Sequence, residues 1–134
     1  KLGYEIAIIT NQSGIQRGYF TQKDFLNLTN WMKEKFKENG INILNVYYCP
    51  HGPEDNCECR KPKIGMITQA IGDFDIDLNK SWLIGDKISD IQTAINSNIK
   101  NSILIKSSYQ KEDDEKIASF TAKSLFDTIN IIKE

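Results

Sequence analysis

Apolar and polar positions alternate in blocks along the chain. Residues 4–10 (YEIAIIT) form a β-branched apolar run, the pattern of a buried parallel strand. A polar turn follows, and Thr21 with Asp24 then sets a capping-box start. Phe25, Leu28, Met32 and Phe36 recur at helical spacing, and Gly40 ends that helix. Residues 43–48 (ILNVYY) predict a second strand, and Met66, Ile67, Ala70 and Ile71 a short helix. Residues 81–84 (SWLI) predict a third strand, followed by a helix marked by Ile88, Ile91 and Ile95. Residues 102–105 (SILI) give a fourth strand, and 117–121 a short fifth. A last helix carries Leu125, Ile129 and Ile132 on one face. Alternating strands and helices predict an α/β fold, a Rossmann-like parallel sheet with helices on both faces. Ligands of such sheets collect at the carboxyl ends of the strands.

Length and charge narrow the partners. The 134 residues suit one domain, spanning 1–134, and a net charge of −1 offers nothing to nucleic acid or to an acidic membrane. No apolar run approaches the roughly 20 residues of a membrane span. Three cysteines cannot all pair within one chain, which favours a reducing, cytoplasmic setting.

All three cysteines and the only histidine lie within eleven positions, in CPHGPEDNCECRKPK. Cys49, His51, Cys57 and Cys59 make a Cys3His set, the donor count of a closed tetrahedral zinc site. Such a site orders a loop, here 49–59, whose own residues bury little. Four protein ligands leave no open position, so the expected metal is structural. The staple also fixes the direction of the cations that follow, Arg60, Lys61 and Lys63, and rigid placement of cations suits phosphate recognition.

Two further polar loops follow predicted strands. Thr10, Asn11, Gln12, Ser13 and Gly14 supply hydroxyl, amide and backbone N–H groups able to cradle phosphoryl oxygens. Gly85-Asp86-Lys87 leads into Asp90. Asp is a hard oxygen ligand suited to Mg²⁺, and Lys87 could pair with phosphate. If the helix starts early, Asp86 and Asp90 stack one turn apart; the alternative is an N-cap Asp with a helix-start carboxylate.

With these motifs the chain resembles the haloacid dehalogenase (HAD) superfamily of phosphotransferases. TNQSGIQRGYF, CPH…CECRKP…GM and GDKISD are similar in order to those of its zinc-bearing heptose-bisphosphate and histidinol-phosphate phosphatases. The resemblance implies Zn²⁺ on Cys49, His51, Cys57 and Cys59, and Mg²⁺ on Asp86 with Asp90 as an outer partner. It assigns phosphoryl binding and catalysis to Thr10 and Lys61, and contacts to a small phosphorylated sugar to Thr10, Asn11, Gln12, Ser13, Arg60, Lys61 and Lys87. Ser13 and Gly65-Met66 lean towards the heptose type; the five-residue spacer between His51 and Cys57 leans towards the histidinol type. The family's nucleophile and general acid are two aspartates on a first, central strand, and no such motif stands here. The expectation is that this strand lies upstream of Lys1 and that the segment carrying it completes the sheet. Without it, a phosphate-binding module that performs no chemistry is the rival reading.

Overall fold

The computed structural model describes residues 2–108, 110–111 and 113–133. The chain divides into two compact units, one of Lys1–Arg60 with Gly65–Asp73, the other of Lys61–Ile64 with Phe74–Glu134.

In the first unit, β1 (Ile6–Asn11) pairs in parallel with β2 (Ile43–Cys49). The register sets Thr10 opposite Tyr48 and Asn11 opposite Cys49, so two of the polar motifs leave the sheet side by side. Between the strands runs α1 (Gln22–Glu38). The Thr21 hydroxyl accepts the Asp24 N–H at 3.0 Å, and the Asp24 carboxylate accepts the Thr21 N–H at 2.9 Å, which completes the expected capping box. Gly40 follows the helix at φ +76°, the left-handed stop expected of it. The buried face of α1 is centred on Phe25, whose ring lies 4.7 Å from that of Tyr48. Leu28, expected on this face, is 63% exposed: in a helix of 3.6 residues per turn the face through Phe25 continues at Thr29, Met32 and Phe36. Helix α2 (Gly65–Asp73) packs Met66, Ile67 and Ala70 towards the same small sheet.

In the second unit, β3 (Trp82–Gly85), β4 (Asn101–Ile105) and β5 (Phe120–Ala122) form a parallel sheet in that order. Helix α3 (Ile88–Asn96) packs on β3 and β4, and Ile91, Ala94, Leu83, Ile103 and Leu104 are its buried core. A 3₁₀ turn spans Asp114–Ile117, and α4 is Thr128–Ile132.

The architecture is the expected α/β class with parallel strands. Three expectations are corrected. Strand β1 is not buried, because it pairs only with β2 among the described residues, and Ile6 is 45% exposed. Leu125 precedes α4 and is exposed, and Ile129 within α4 is exposed as well, the buried residue of that helix being Thr128. Helix α3 begins at Ile88, so Asp86 lies outside it and does not stack over Asp90. No helix among the described residues is long and apolar enough to cross a membrane.

Candidate functional site

The metal loop begins at the last residue of β2, so Cys49 inherits a strand position and is fully buried. His51, Cys57 and Cys59 curl back to it. The ligand atoms of these four residues lie within 4.8 Å of one another. Cys49 Sγ is 3.4 Å from His51 Nδ1, 3.5 Å from Cys57 Sγ and 2.7 Å from Cys59 Sγ, and His51 Nδ1 is 3.3 Å from Cys59 Sγ. The sulfurs form no disulfide. Three sulfurs and one imidazole nitrogen converging on one point fit a zinc ion: the donors are of the right softness and the right number.

Short polar contacts shape the loop. Asp55 accepts the Gly52 N–H at 2.7 Å, and Asn56 takes φ +51°, a left-handed angle that Asn tolerates. The loop closes where the Gly65 N–H donates to the Glu58 carbonyl at 2.9 Å. A Cβ on Gly65 would lie 2.5 Å from that oxygen and 2.8 Å from Cys59 Cα, so only glycine lets α2 start this close to the metal loop.

Burial, followed by the Cys59 contact, pushes the Cys49 thiol up to about 12. Burial also raises Cys57, but the Arg60 N–H and then the Cys49 thiol outweigh it and bring Cys57 down to about 7. Burial raises Cys59. A metal that takes thiolates displaces these protons.

The metal loop is fastened to the polar turn after β1. The Gln12 N–H donates to the Cys49 carbonyl at 2.7 Å, and the Gln16 N–H to the Pro50 carbonyl at 3.2 Å. Gln12 also donates from Nε2 to the Thr10 hydroxyl oxygen at 2.8 Å. That bond aims the Thr10 hydrogen away from Gln12, available to an acceptor. Asn11 and Ser13 are half-buried beside it. Arg60 reaches back to the His51 carbonyl at 3.4 Å.

The second unit carries the remaining expected residues. Lys61 Nζ lies 2.5 Å from Asp90 Oδ1, with the two side chains 14% and 8% exposed. The other Asp90 oxygen accepts the Lys87 N–H at 3.1 Å, as the third residue of a capped helix does. A Cβ on Gly85 would overlap the Asp90 carboxylate, so the glycine of the Gly85-Asp86-Lys87 turn leaves room for that group. Asn96 Nδ2 donates to the Pro62 carbonyl at 3.1 Å and steadies the segment behind Lys61. Asp86 and Lys87 are exposed at the carboxyl end of β3. One exposed carboxylate is a fitting partial ligand for Mg²⁺, which keeps several waters.

The pairing of Lys61 with Asp90 went unread in the sequence because 29 positions separate them. Nor did any pattern single out Ser107 and Gln110, which follow β4 and hold the Asp86 carbonyl.

A family model described as HAD-hydrolase-like matches residues 58–130. The chain is 41% identical to the D-glycero-beta-D-manno-heptose-1,7-bisphosphate 7-phosphatase of Pasteurella multocida, over 98% of this chain and 76% of that protein. It is 50% identical to the enzyme of the same name from Helicobacter pylori strain 26695, over 78% of this chain and 61% of that one. Among solved structures it superposes with TM-score 0.79 and 25% identity on a D,D-heptose 1,7-bisphosphate phosphatase from B. bronchiseptica complexed with magnesium and phosphate, covering 96% of this chain and 74% of that one. The chain belongs to the HAD-like hydrolases. Within them it is similar to proteins named for the removal of one phosphate from a heptose bisphosphate.

Proposed function

We propose that this chain belongs to a phosphatase that hydrolyses the 7-phosphate of D-glycero-D-manno-heptose 1,7-bisphosphate. Kinship with enzymes of that name supports the substrate. One observation carries the residue assignment: Lys61, two positions after the metal ligand Cys59, is held by the buried carboxylate of Asp90.

Hydrolysis in this reading runs in two displacements. A carboxylate oxygen of an aspartate upstream of Lys1 attacks phosphorus, the bond to the sugar oxygen breaks, and a carboxylic acid protonates that oxygen. Water then cleaves the aspartyl-phosphate to inorganic phosphate and returns the carboxylate. The segment bearing the nucleophile would also offer a backbone partner to β1, which has one edge without a strand among the described residues. Lys61 neutralises charge on the transferring phosphoryl oxygens, and Asp90 keeps its ammonium in place before substrate arrives. The Thr10 hydroxyl, aimed by Gln12, and the polar groups of Asn11, Gln12 and Ser13 bind phosphoryl oxygens. Arg60 and Lys87 grip the anionic parts of the sugar. Asp86 would hold Mg²⁺, which when bound supplies positive charge against the phosphoryl group. Cys49, His51, Cys57 and Cys59 would hold Zn²⁺, which keeps the loop that leads to Arg60 and Lys61 in one shape.

The test is steady-state kinetics of the full-length protein with Mg²⁺. The expected result is a kcat/KM for the heptose bisphosphate far above that for histidinol phosphate. A large preference for histidinol phosphate overturns the substrate, and no turnover of either overturns the phosphatase reading.

A further inference from the structure

The turn between β3 and α3 is a single peptide unit, Asp86–Lys87, and it is held at both ends. Its N–H donates to Asp90 Oδ2 at 3.1 Å. Its carbonyl accepts from two side chains of the loop after β4: the Ser107 hydroxyl at 3.1 Å and Gln110 Nε2 at 2.9 Å. Gln110 is itself anchored, with the same Nε2 2.5 Å from the Ile105 carbonyl and 3.3 Å from the Ser107 hydroxyl. The plane of a peptide fixes the ψ of the residue before it and the φ of the residue after it. Clamping this plane therefore sets the direction in which the exposed Asp86 carboxylate leaves the backbone.

We infer that Ser107 and Gln110 are positioning residues for the Asp86 carboxylate, and that their clasp on its carbonyl sets how tightly the protein binds a divalent cation there. The inference rests on the reading of Asp86 as a Mg²⁺ ligand. Two donors from a loop 21 and 24 positions downstream converge on one carbonyl of a two-residue turn. Packing alone does not require this, because a carbonyl at an exposed turn is readily satisfied by water. Partners that orient a metal ligand from behind are worth about 10–100-fold in metal affinity or activity when removed.

The experiment compares wild-type full-length protein with Gln110→Glu, Ser107→Ala, Ser107→Thr and Asp86→Asn. Gln110→Glu keeps the shape of the side chain and removes the donor; Ser107→Thr keeps the hydroxyl. Two quantities are read: the Mg²⁺ concentration giving half-maximal turnover, and direct Mn²⁺ binding by paramagnetic resonance without substrate. Gln110→Glu is expected to weaken both by about 10-fold or more, with kcat at saturating Mg²⁺ and the melting temperature little changed. Ser107→Ala is expected to act in the same direction and less, and Ser107→Thr to match wild type. If Asp86→Asn abolishes cation binding while Gln110→Glu and Ser107→Ala bind as wild type does, the clasp has no positioning role. If Asp86→Asn itself binds cations normally, the assignment of Asp86 falls, and the inference falls with it. A Gln110→Glu protein that unfolds leaves Ser107→Ala to decide: wild-type cation binding in it overturns the inference.

Discussion

The backbone N–H of Gln12 donates to the carbonyl of Cys49 at 2.7 Å. One end of that bond is the first of the four candidate metal donors; the other is the residue whose amide fixes the Thr10 hydroxyl. The loop bearing the four candidate metal donors and the turn proposed to bind phosphate are thus joined at their roots, and loosening one is expected to loosen the other.

Replacing Cys57 by Ser leaves the Cys49 backbone in β2 but removes a sulfur donor, so the loop loses its staple. Bound zinc is expected to fall from one per chain, measured by plasma mass spectrometry. Amide exchange at Gln12 and Gln16 should quicken by roughly tenfold or more, a local loss of about 1.4 kcal/mol, and substrate affinity should weaken. Unchanged zinc content, or unchanged exchange in a zinc-free variant, would break the link between metal and turn.

Gly65 makes the opposite test, since it is no ligand. A Cβ there meets backbone atoms of Glu58 and Cys59, which cannot swing aside as a side-chain tip can. Gly65→Ala should therefore displace Cys59 and weaken zinc binding, read by competition with a chromogenic chelator. Gly72, in the same helix, has nothing within 4 Å of a built Cβ. Gly72→Ala should leave zinc binding alone and stabilise the protein by about 0.5–1 kcal/mol, the gain of removing a helix glycine. Equal effects from both substitutions would show that α2 itself, and not the contact at Gly65, governs the loop.

The order of elements was legible because each block of apolar residues carried its own period and its own stop signal. The capping box at Thr21 and Asp24 and the stop at Gly40 are local chemistry, and they appear where the residues announce them. The convergence of Cys49, His51, Cys57 and Cys59 was legible for the same reason, all four lying within one loop. Leu28 was misread because spacing of three fits a helix as well as spacing of four, and only packing decides which face continues. The Asp86–Asp90 stack failed because the helix starts two residues later than the stack requires, which leaves Asp86 off the helix. Lys61 with Asp90, and Ser107 with Gln110 on Asp86, are made by tertiary folding between distant segments. Loop length between His51 and Cys57 pointed to histidinol phosphate and the residues of the motifs to heptose. The named relatives side with the motifs, as expected where a loop tolerates insertion and its length is a weak guide.

The Lys61–Asp90 pair should separate catalysis from stability. In the proposed mechanism Lys61→Ala removes the charge facing the phosphoryl group, and is expected to lower kcat by about 3–4 kcal/mol of transition-state stabilisation, a factor of roughly 10²–10³. It also leaves a buried carboxylate without its ammonium, which costs about 3–5 kcal/mol of stability. Adding Asp90→Asn neutralises that carboxylate. The double variant should recover most of the stability in urea melts and none of the turnover. Recovery of turnover in the double variant would show that Lys61 serves only to neutralise Asp90.

The capping box gives a pH dependence with a definite sign. The Thr21 backbone N–H, and then its hydroxyl contact, hold the Asp24 carboxyl below its ordinary value of 3.8. The folded state therefore binds this proton more weakly than the unfolded chain does. The resulting stability is fully present above the unfolded value and is lost as pH falls through the lower, folded one. In Asp24→Ala this contribution is missing at every pH. Urea melts should accordingly show a gap between wild type and Asp24→Ala that is constant near neutrality and narrows below about pH 4. The residue is exposed, so the gap should be modest and salt-sensitive. Thr21→Ala, which removes the hydroxyl but not the backbone N–H donated to Asp24, should weaken the helix and keep part of the acid-side narrowing. A gap that holds steady down to low pH would mean that Asp24 acts through shape alone, and that its charge does nothing for the start of α1.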